Sequence, residues 1–356
     1  MAEVRLLDLG FVSALRSQTL YHAVAESVSK GSPDTINILS PAEPYVCIGM
    51  HQELENEVDL EYCRTHNLPV YRRQVGGGAV YLDKNQIFYQ VMFHKDHAPA
   101  NVNEIYEKFL KAPIETYRAF GINAVYRPIN DIQVDNKKIG GTGAATIGNC
   151  TVVVGSITLD FDYKAMSKVL KVPDEKFRDK VYKTMETYLT TMKRELDEVP
   201  PRDEIKKMLI KKFEESLDIE LVEGKLTDEE MKLVEEFDKK FQSYEWLHKV
   251  SREKHGFRDV KISEGVRVVE TAHKVAGGLI RTVISLENNI IRDIMISGDF
   301  FMYPDAIAEI EDAVTGIEVR REDLLQNVWR IYDDRKIRSP GVLPENFVEA
   351  IMKAVA

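Results

Sequence analysis

Arg72-Arg73-Gln74-Val75-Gly76-Gly77-Gly78-Ala79-Val80-Tyr81 is the stretch on which the reading of this chain turns. Three consecutive glycines between strand-like runs carry a conformational-entropy cost that something has to offset. Backbone without Cβ atoms approaches a ligand closely and aims its N–H groups at an anion. The two arginines supply guanidinium forks suited to phosphate or carboxylate. The same residues also fit a glycine-rich turn flanked by surface arginines, and residue types alone leave both readings open. The spacing is neither GxxxxGK[ST] nor GxGxxG, so it is neither a Walker A loop nor a dinucleotide fingerprint.

Upstream, 68–73 reads as a strand running into the triplet, and 43–50 as a short buried strand stopping at Gly49. Leu20, Ala23, Val24 and Val28 recur at helical spacing, which predicts an amphipathic helix over 18–29. Downstream, 79–81 and 86–93 read as a hairpin turning through Asp83-Lys84-Asn85. A single helix is expected over 102–119, with Ile105, Phe109, Ile114 and Tyr117 on one face.

A second chemically loaded stretch runs from Asn130-Asp131 to Lys137-Lys138-Ile139-Gly140-Gly141. It reads as strand, turn at Asp135-Asn136, strand, then a small-residue loop over 141–146. A lysine entering such a loop can set its ammonium against an oxyanion or phosphate. Asp131, across the turn, could hold a magnesium ion. A solvated turn edge would use the same residues. Another strand is expected over 151–160, and the chain turns helix-rich after Asp162. Thr227-Asp228-Glu229-Glu230 reads as a capping box opening a helix whose core face is Met231, Val234, Phe237 and Phe241. The charged run 251–256 is the best linker candidate. Beyond it, strands near 265–271, 279–286 and 290–297 and helices near 304–314, 321–332 and 344–354 make a small α+β domain.

With 356 residues, 44% of them hydrophobic, the chain can bury a sizeable core, and its length leans to two domains. A net charge of −10 disfavours nucleic acid as the main partner. No apolar run is long enough to span a membrane, and the first residues do not read as a signal peptide. Three cysteines, Cys47, Cys63 and Cys150, form no CxxC pair and suit a reducing cytoplasm. None of the eight histidines stands out from surface or satisfied core. Trp246 reads as a packing residue closing the larger domain, or as a wall of a ligand slot.

In combination these stretches resemble the lipoate–protein ligases. The match runs through Pro44-Tyr45-Val46-Cys47-Ile48-Gly49-Met50-His51-Gln52, 57–63 and 68–81, then Asn130-Asp131 and Lys138-Ile139-Gly140. Residues 265–269, 278–281 and 296–301 are similar to the family's accessory domain. The resemblance implies an α+β fold. A mixed sheet core with helices, akin to biotin ligases and class II synthetases, would occupy 1–250, and a small α+β accessory domain 257–356. It implies two steps: lipoate and ATP give lipoyl-adenylate and pyrophosphate, then an acceptor lysine takes the acyl group and AMP leaves. It assigns the nucleotide to Arg73, Gly76, Gly77, Gly78, Ala79, Val80, Tyr81, Asn130, Asp131 and Lys138, with Mg2+ on Asp131. Arg73, Gly77, Gly78, Lys138, Gly140 and Gly155 would hold the acyl substrate, with Lys138 catalytic. The implied partner is a lipoyl-carrier domain, such as a 2-oxoacid dehydrogenase E2, the glycine cleavage H protein or a related carrier, and the implied state is a monomer. The family's accessory domain changes orientation between steps, and 251–256 is where this chain would permit it.

Three departures from the family pattern touch the substrate: Leu82-Asp83 replaces His-Asp, the loop 141–146 replaces a small-Ala-Gln run, and 153–156 replaces a His-His-Gly stretch. They leave lipoate and octanoate both open as acyl substrates. The main rival is an octanoyltransferase on the same fold, which works through a cysteine thioester. Neither 126–131 nor 170–175 carries a cysteine where those enzymes have one, and Cys150 reads as buried and structural. A biotin–protein ligase would carry a basic glycine–arginine loop, unlike 74–78. A non-catalytic carrier-binding protein would have no need of Arg73, the triplet, Asp131 and Lys138 together.

Overall fold

The structure, a computed structural model, describes residues 2–128, 130–173, 177–253 and 266–355. Packing divides the chain into two compact units. One takes Met1–Cys47, Val58–Tyr71 and Val80–Ser243; the other takes Ile48–Glu57, Arg72–Ala79 and Tyr244–Ala356. Two short stretches from the first quarter of the chain therefore pack with its C-terminal residues, which a division into 1–250 and 257–356 does not contain. The last three residues of the expected linker, and the first of the strand expected from 265, lie outside the described residues.

The first unit is built on β1 (Ala2–Val12), β2 (Thr35–Pro41), β3 (Tyr45–Ile48), β4 (Val70–Arg72), β5 (Val80–Leu82), β6 (Gln86–His94), β7 (Val125–Arg127), β8 (Asp131–Val134), β9 (Lys137–Ile147), β10 (Cys150–Thr158) and β11 (Ile219–Glu223). Eight of these form a mixed sheet in the order β11-β1-β2-β6-β10-β9-β8-β7. β1 runs parallel to both β11 and β2, and the pairs from β2 onward are antiparallel. One face carries helices Val102–Phe109, Lys111–Ala119 and Arg202–Leu217, whose Phe109, Tyr117, Leu209 and Phe213 pack on Tyr89, Val91, Val153 and Ile157. On the other face, helix Arg16–Ser29 buries Tyr21, Val24, Ala25 and Val28 against Leu7, Met92 and Val152. Each Val, Leu, Ile, Phe or Met among these, taken fully from water, contributes about 1.5–3 kcal/mol before entropy. The Thr227–Glu230 capping box forms as expected and opens helix Asp228–Gln242, which buries Val234 and Phe241.

The structure corrects three expectations. The helix expected over 102–119 is two helices meeting at Leu110. Pro113 has no N–H and crowds the carbonyl four residues earlier, which breaks the run there. The hairpin expected from 79–81 and 86–93 does not form: β5 pairs with β3, whereas β6 pairs with β2 and β10. The Asp83 carboxylate accepts from Asn85 N at 2.8 Å, and Asp83 N donates to Gln86 Oε1 at 2.9 Å, which turns the chain out of one sheet into the other. Residues 141–146, expected as a loop, lie in β9 and pair with β10 from Thr142↔Gly155 to Thr146↔Thr151. A ladder in the sheet interior outweighs the low strand propensity of glycine and alanine. Asp135 and Asn136 do form the expected tight turn, both at positive φ.

In the second unit, β12 (Val266–Val275), β13 (Gly278–Glu287) and β14 (Ile290–Gly298) form an antiparallel sheet. Asn288 and Asn289, both at positive φ, make its second turn. Helices Ile307–Val314, Arg321–Arg335 and Pro344–Met352 cover it through Ile310, Val328, Phe347 and Ile351. Three strands with an apolar face packed on helices meet the demand of independent stability. Both units are α+β, as expected.

Candidate functional site

The glycine triplet is held by its own arginine. Arg73 Nη2 donates to Gly76 O at 2.8 Å and to Gly78 O at 2.9 Å, and Arg73 N donates to Ile48 O at 2.9 Å. The guanidinium thus closes the loop on itself. Gly77 turns at positive φ, with Arg73 Nη2 beside the place a side chain would take. A Cβ on Gly49 would collide with the Gly77 carbonyl, and one on Gly76 would stand 2.5 Å from Phe300 O and 3.0 Å from Phe301 Cα. Backbone packs on backbone at both glycines, and no side chain fits.

Arg72 is not the phosphate fork that residue type allowed. It is fully buried and donates to the carbonyl oxygens of Gly49, Met50, Gln52, Trp246 and Leu247 at 2.7–3.1 Å. Trp246 returns a bond from Nε1 to Arg72 O at 2.8 Å. It is therefore a packing partner of the second unit rather than a closing residue of the larger sheet unit.

Lys138, Asp131, Asn130, Gly140 and Gly155 belong to the first unit, as do Val80 and Tyr81. Lys138 Nζ pairs with Asp131 Oδ1 at 2.7 Å, both side chains being about one third exposed. A Cβ on Gly141 would stand 3.6 Å from that ammonium, so the lysine lies along bare backbone. Lys138 O accepts from Thr190 N at 2.9 Å, which fixes the strand end from which the side chain springs. Asn130 and Thr142 clamp β9: Asn130 Nδ2 donates to Thr142 O at 2.7 Å and Thr142 Oγ1 donates to Asn130 O at 2.5 Å. Thr142 did not stand out in the sequence, because its partner lies across a turn. Gly140 is buried against Ile132 and Ser156 O. At Gly155 the phenol of Tyr89, paired across the ladder, fills the space a side chain would need. Val80 and Tyr81 pair with Cys47 and Val46, and burial first, then Asp83, pushes the Tyr81 phenol up to about 12.

Among the described residues no cluster of three or more His, Cys, Asp or Glu could hold a metal by itself. A magnesium ion that arrives with a nucleotide needs only one or two protein carboxylates, since phosphates and water complete its octahedron. Asp131 fits that smaller demand. A cavity of about 590 Å³ is lined by Val4, Asp34, Phe93, His97 and Lys108 among others, and none of the expected site residues lines it.

The model of the lipoyl protein ligase A/B catalytic domain matches residues 13–214, more than half of the chain, and that of the bacterial lipoate protein ligase C-terminus matches 268–351. The chain belongs to the lipoate–protein ligase family of enzymes. It is similar to lipoate–protein ligase 2 of Staphylococcus aureus, 29% identical over 89% of this chain and 90% of that one. It is also similar to the octanoyltransferase LipM of Geobacillus kaustophilus, 26% identical over 69% of this chain and 98% of that one. A solved chain from work on a bi-partite archaeal lipoate protein ligase and its E2 lipoyl domain, from Thermoplasma acidophilum, is 30% identical with a TM-score of 0.64, over 70% and 97% of the two chains. A lipoate-protein ligase A crystallised with ATP is 27% identical with a TM-score of 0.60, over 69% and 98%.

With ligases and octanoyltransferases both among the relatives, the thiols become the discriminating groups. All three cysteines are buried. Burial first, then Asp34, holds the Cys150 thiol well above its usual range, and burial with Asp59 pushes Cys63 up to about 11. A nucleophilic cysteine needs the opposite environment, exposed and electropositive. Among the described residues no helix is long and apolar enough to cross a membrane.

Proposed function

We propose that this chain is an ATP-dependent lipoate–protein ligase that forms lipoyl-AMP and transfers the lipoyl group to a lysine of a lipoyl-carrier domain. The observation that carries the reading is the Lys138–Asp131 pair on a clamped strand of bare backbone, in a chain whose three thiols are buried, those of Cys63 and Cys150 held protonated. Such a lysine serves charge that develops on phosphate and acyl oxygens, and it does not require a covalent enzyme intermediate. The ATP-bound relative and the relative studied with an E2 lipoyl domain support the nucleotide and the acceptor.

In the first step a carboxylate oxygen of lipoate attacks the α-phosphorus of ATP, the bond to the β-phosphate oxygen breaks, and pyrophosphate leaves. Lys138 steadies the charge on the acyl and phosphate oxygens, while Arg73 and the backbone of Gly76, Gly77, Gly78, Ala79, Val80 and Tyr81 bind the nucleotide. Asn130 keeps Asp131 in register, and Asp131 is the carboxylate that would hold Mg2+, which screens the phosphate charge when bound. In the second step the neutral acceptor amine attacks the acyl carbon and loses its proton, the bond to the phosphate oxygen breaks, and AMP leaves. Gly77, Gly78, Gly140 and Gly155 lie along the acyl substrate through their main chain. The protein acts as a cytoplasmic monomer.

The test is pyrophosphate release from ATP with lipoate, octanoate or biotin, followed by mass measurement of a lipoyl domain. Release with lipoate and a mass gain of one lipoyl group are expected. Acyl transfer from an octanoyl thioester without ATP consumption would establish the rival instead.

A further inference from the structure

The eight histidines did not stand out in the sequence, and the nucleotide chemistry does not use them, yet His51 sits where two backbone slabs meet. It is 3% exposed. Its ring stacks on Phe300 with centroids 4.8 Å apart and planes 11° apart. Nδ1 lies 3.3 Å from Phe300 O and Nε2 lies 3.2 Å from Asp305 Oδ1, so both atoms facing the ring are acceptors. The main-chain oxygen of His51 accepts from Gly298 N at 2.9 Å. Lys249 binds the other oxygen of Asp305.

These ties matter because of what lies one and two residues earlier. Met50 N donates to Val75 O at 3.2 Å, and Gly49 sits directly under the Gly77 carbonyl. On its other side the loop meets the backbone of Phe300 and Phe301 at Gly76. Residues 75–77 are thus gripped between 49–50 and 300–301, and His51 ties the first of those slabs to the second.

We propose that His51, braced by Asp305 and Lys249, is the positioning residue that sets the conformation of the glycine loop 73–78 and thereby its fit to the nucleotide. The effect on nucleotide fit rests on the reading of that loop as the ATP contact; the effect on the loop itself does not. The side-chain partners of His51 are Phe300 and Asp305, both outside the loop. Its loss therefore loosens the loop without removing a group that the reaction uses.

The test compares the wild type with His51→Ala, His51→Gln and Asp305→Asn. Two readouts are used: hydrogen–deuterium exchange of peptides spanning 72–81, and the kinetics of lipoate-dependent pyrophosphate release. Exchange in 73–78 rises about tenfold in His51→Ala while β13 and the interior of β14 keep their protection. The KM for ATP rises about tenfold, with kcat within about threefold and the KM for lipoate within about twofold. His51→Gln, which keeps a donor toward Asp305 but loses the ring, falls between the two, as does Asp305→Asn. Unchanged exchange in 73–78 in folded His51→Ala overturns the proposal, and so does an equal rise of both KM values. If His51→Ala does not fold, the Asp305→Asn exchange decides in the same way. If the wild type releases no pyrophosphate with any acid, the functional reading fails by itself and the exchange comparison still judges the loop.

Discussion

Arg72 and Arg73 are adjacent, chemically identical and put to different uses. Arg72 supplies donors to five carbonyl oxygens while fully buried. A lysine there offers three donors from a single atom and strands some of those carbonyls. Arg72→Lys is expected to lower unfolding free energy by about 3 kcal/mol, read from urea melts. A loss within about 0.5 kcal/mol, the range of ordinary surface substitutions, would show that these five carbonyl oxygens do not depend on the Arg72 guanidinium. Lys138→Ala is expected to slow pyrophosphate release about 100-fold, since a preorganised donor of this kind is worth about 2.7–4 kcal/mol in the barrier. A rate near that of wild type would remove Lys138 from the chemistry. Cys150→Ser should keep ATP-dependent ligation within about threefold, because the thiol it replaces is buried and protonated. The sequence did not separate the two arginines, since Trp246 and Leu247, which supply carbonyls to one of them, lie far along the chain. That Lys138 and Asp131 lie on neighbouring strands was legible from the two-residue turn at 135–136; that they pair was not, because a register shift between Ile132 and Gln133 sets Asp131 opposite Gly141 and Lys138 opposite Gln133.

At the scale of elements, helix positions and tight turns followed from local chemistry, and sheet membership did not. The capping box at Thr227 and the paired positive-φ residues at 135–136 and 288–289 are properties of a few neighbouring residues. The fate of β5 and β6 depended on partners in β3, β2 and β10, which no window of sequence contains. β9 and β10 also carry a sharp packing constraint. Gly155→Ala drives a methyl into the Tyr89 ring and should cost about 1–3 kcal/mol in thermal or urea melts. A double-mutant cycle with Tyr89→Leu should return part of that loss, and strict additivity would show that the ring is not what the methyl meets. Helix Ile307–Val314 carries the clearest titration. Burial, opposed only in part by the bond from Ile296 N, pushes the Glu311 carboxyl from 4.5 up to about 8. Its folded form therefore holds a proton that the unfolded chain releases. Stability from this group is intact below about pH 4.5, falls as pH rises, and is lost by about pH 8. Glu311→Gln should flatten the pH dependence of the melting temperature across that window. An unchanged slope would show that Glu311 ionises normally.

For the whole molecule, the α+β class and the small C-terminal domain were legible because periodicity restarts cleanly after the charged run near 251. That residues 48–57 and 72–79 pack with 244–356 was not legible, because the contacts join residues far apart in the chain, and many of them end on main-chain oxygens, which leave no mark on side-chain pattern. A chain ending at Ser243 should keep amide protection in β1, β2, β6, β9 and β10 while 48–57 and 72–79 exchange freely. Protection of those two stretches in the shortened chain would mean that they hold themselves.

That weave also governs how the protein comes into being. At about 5–20 residues per second, the glycine loop leaves the ribosome many seconds before the backbone of Phe300 and Phe301 that closes over it exists. During that interval Arg72 has no Trp246 or Leu247 to bind. A polypeptide cut short between Ser243 and residue 300 would leave translation with every strand of the large sheet made and the glycine turn unset. The last third of the gene product thus serves as its own proof of completion.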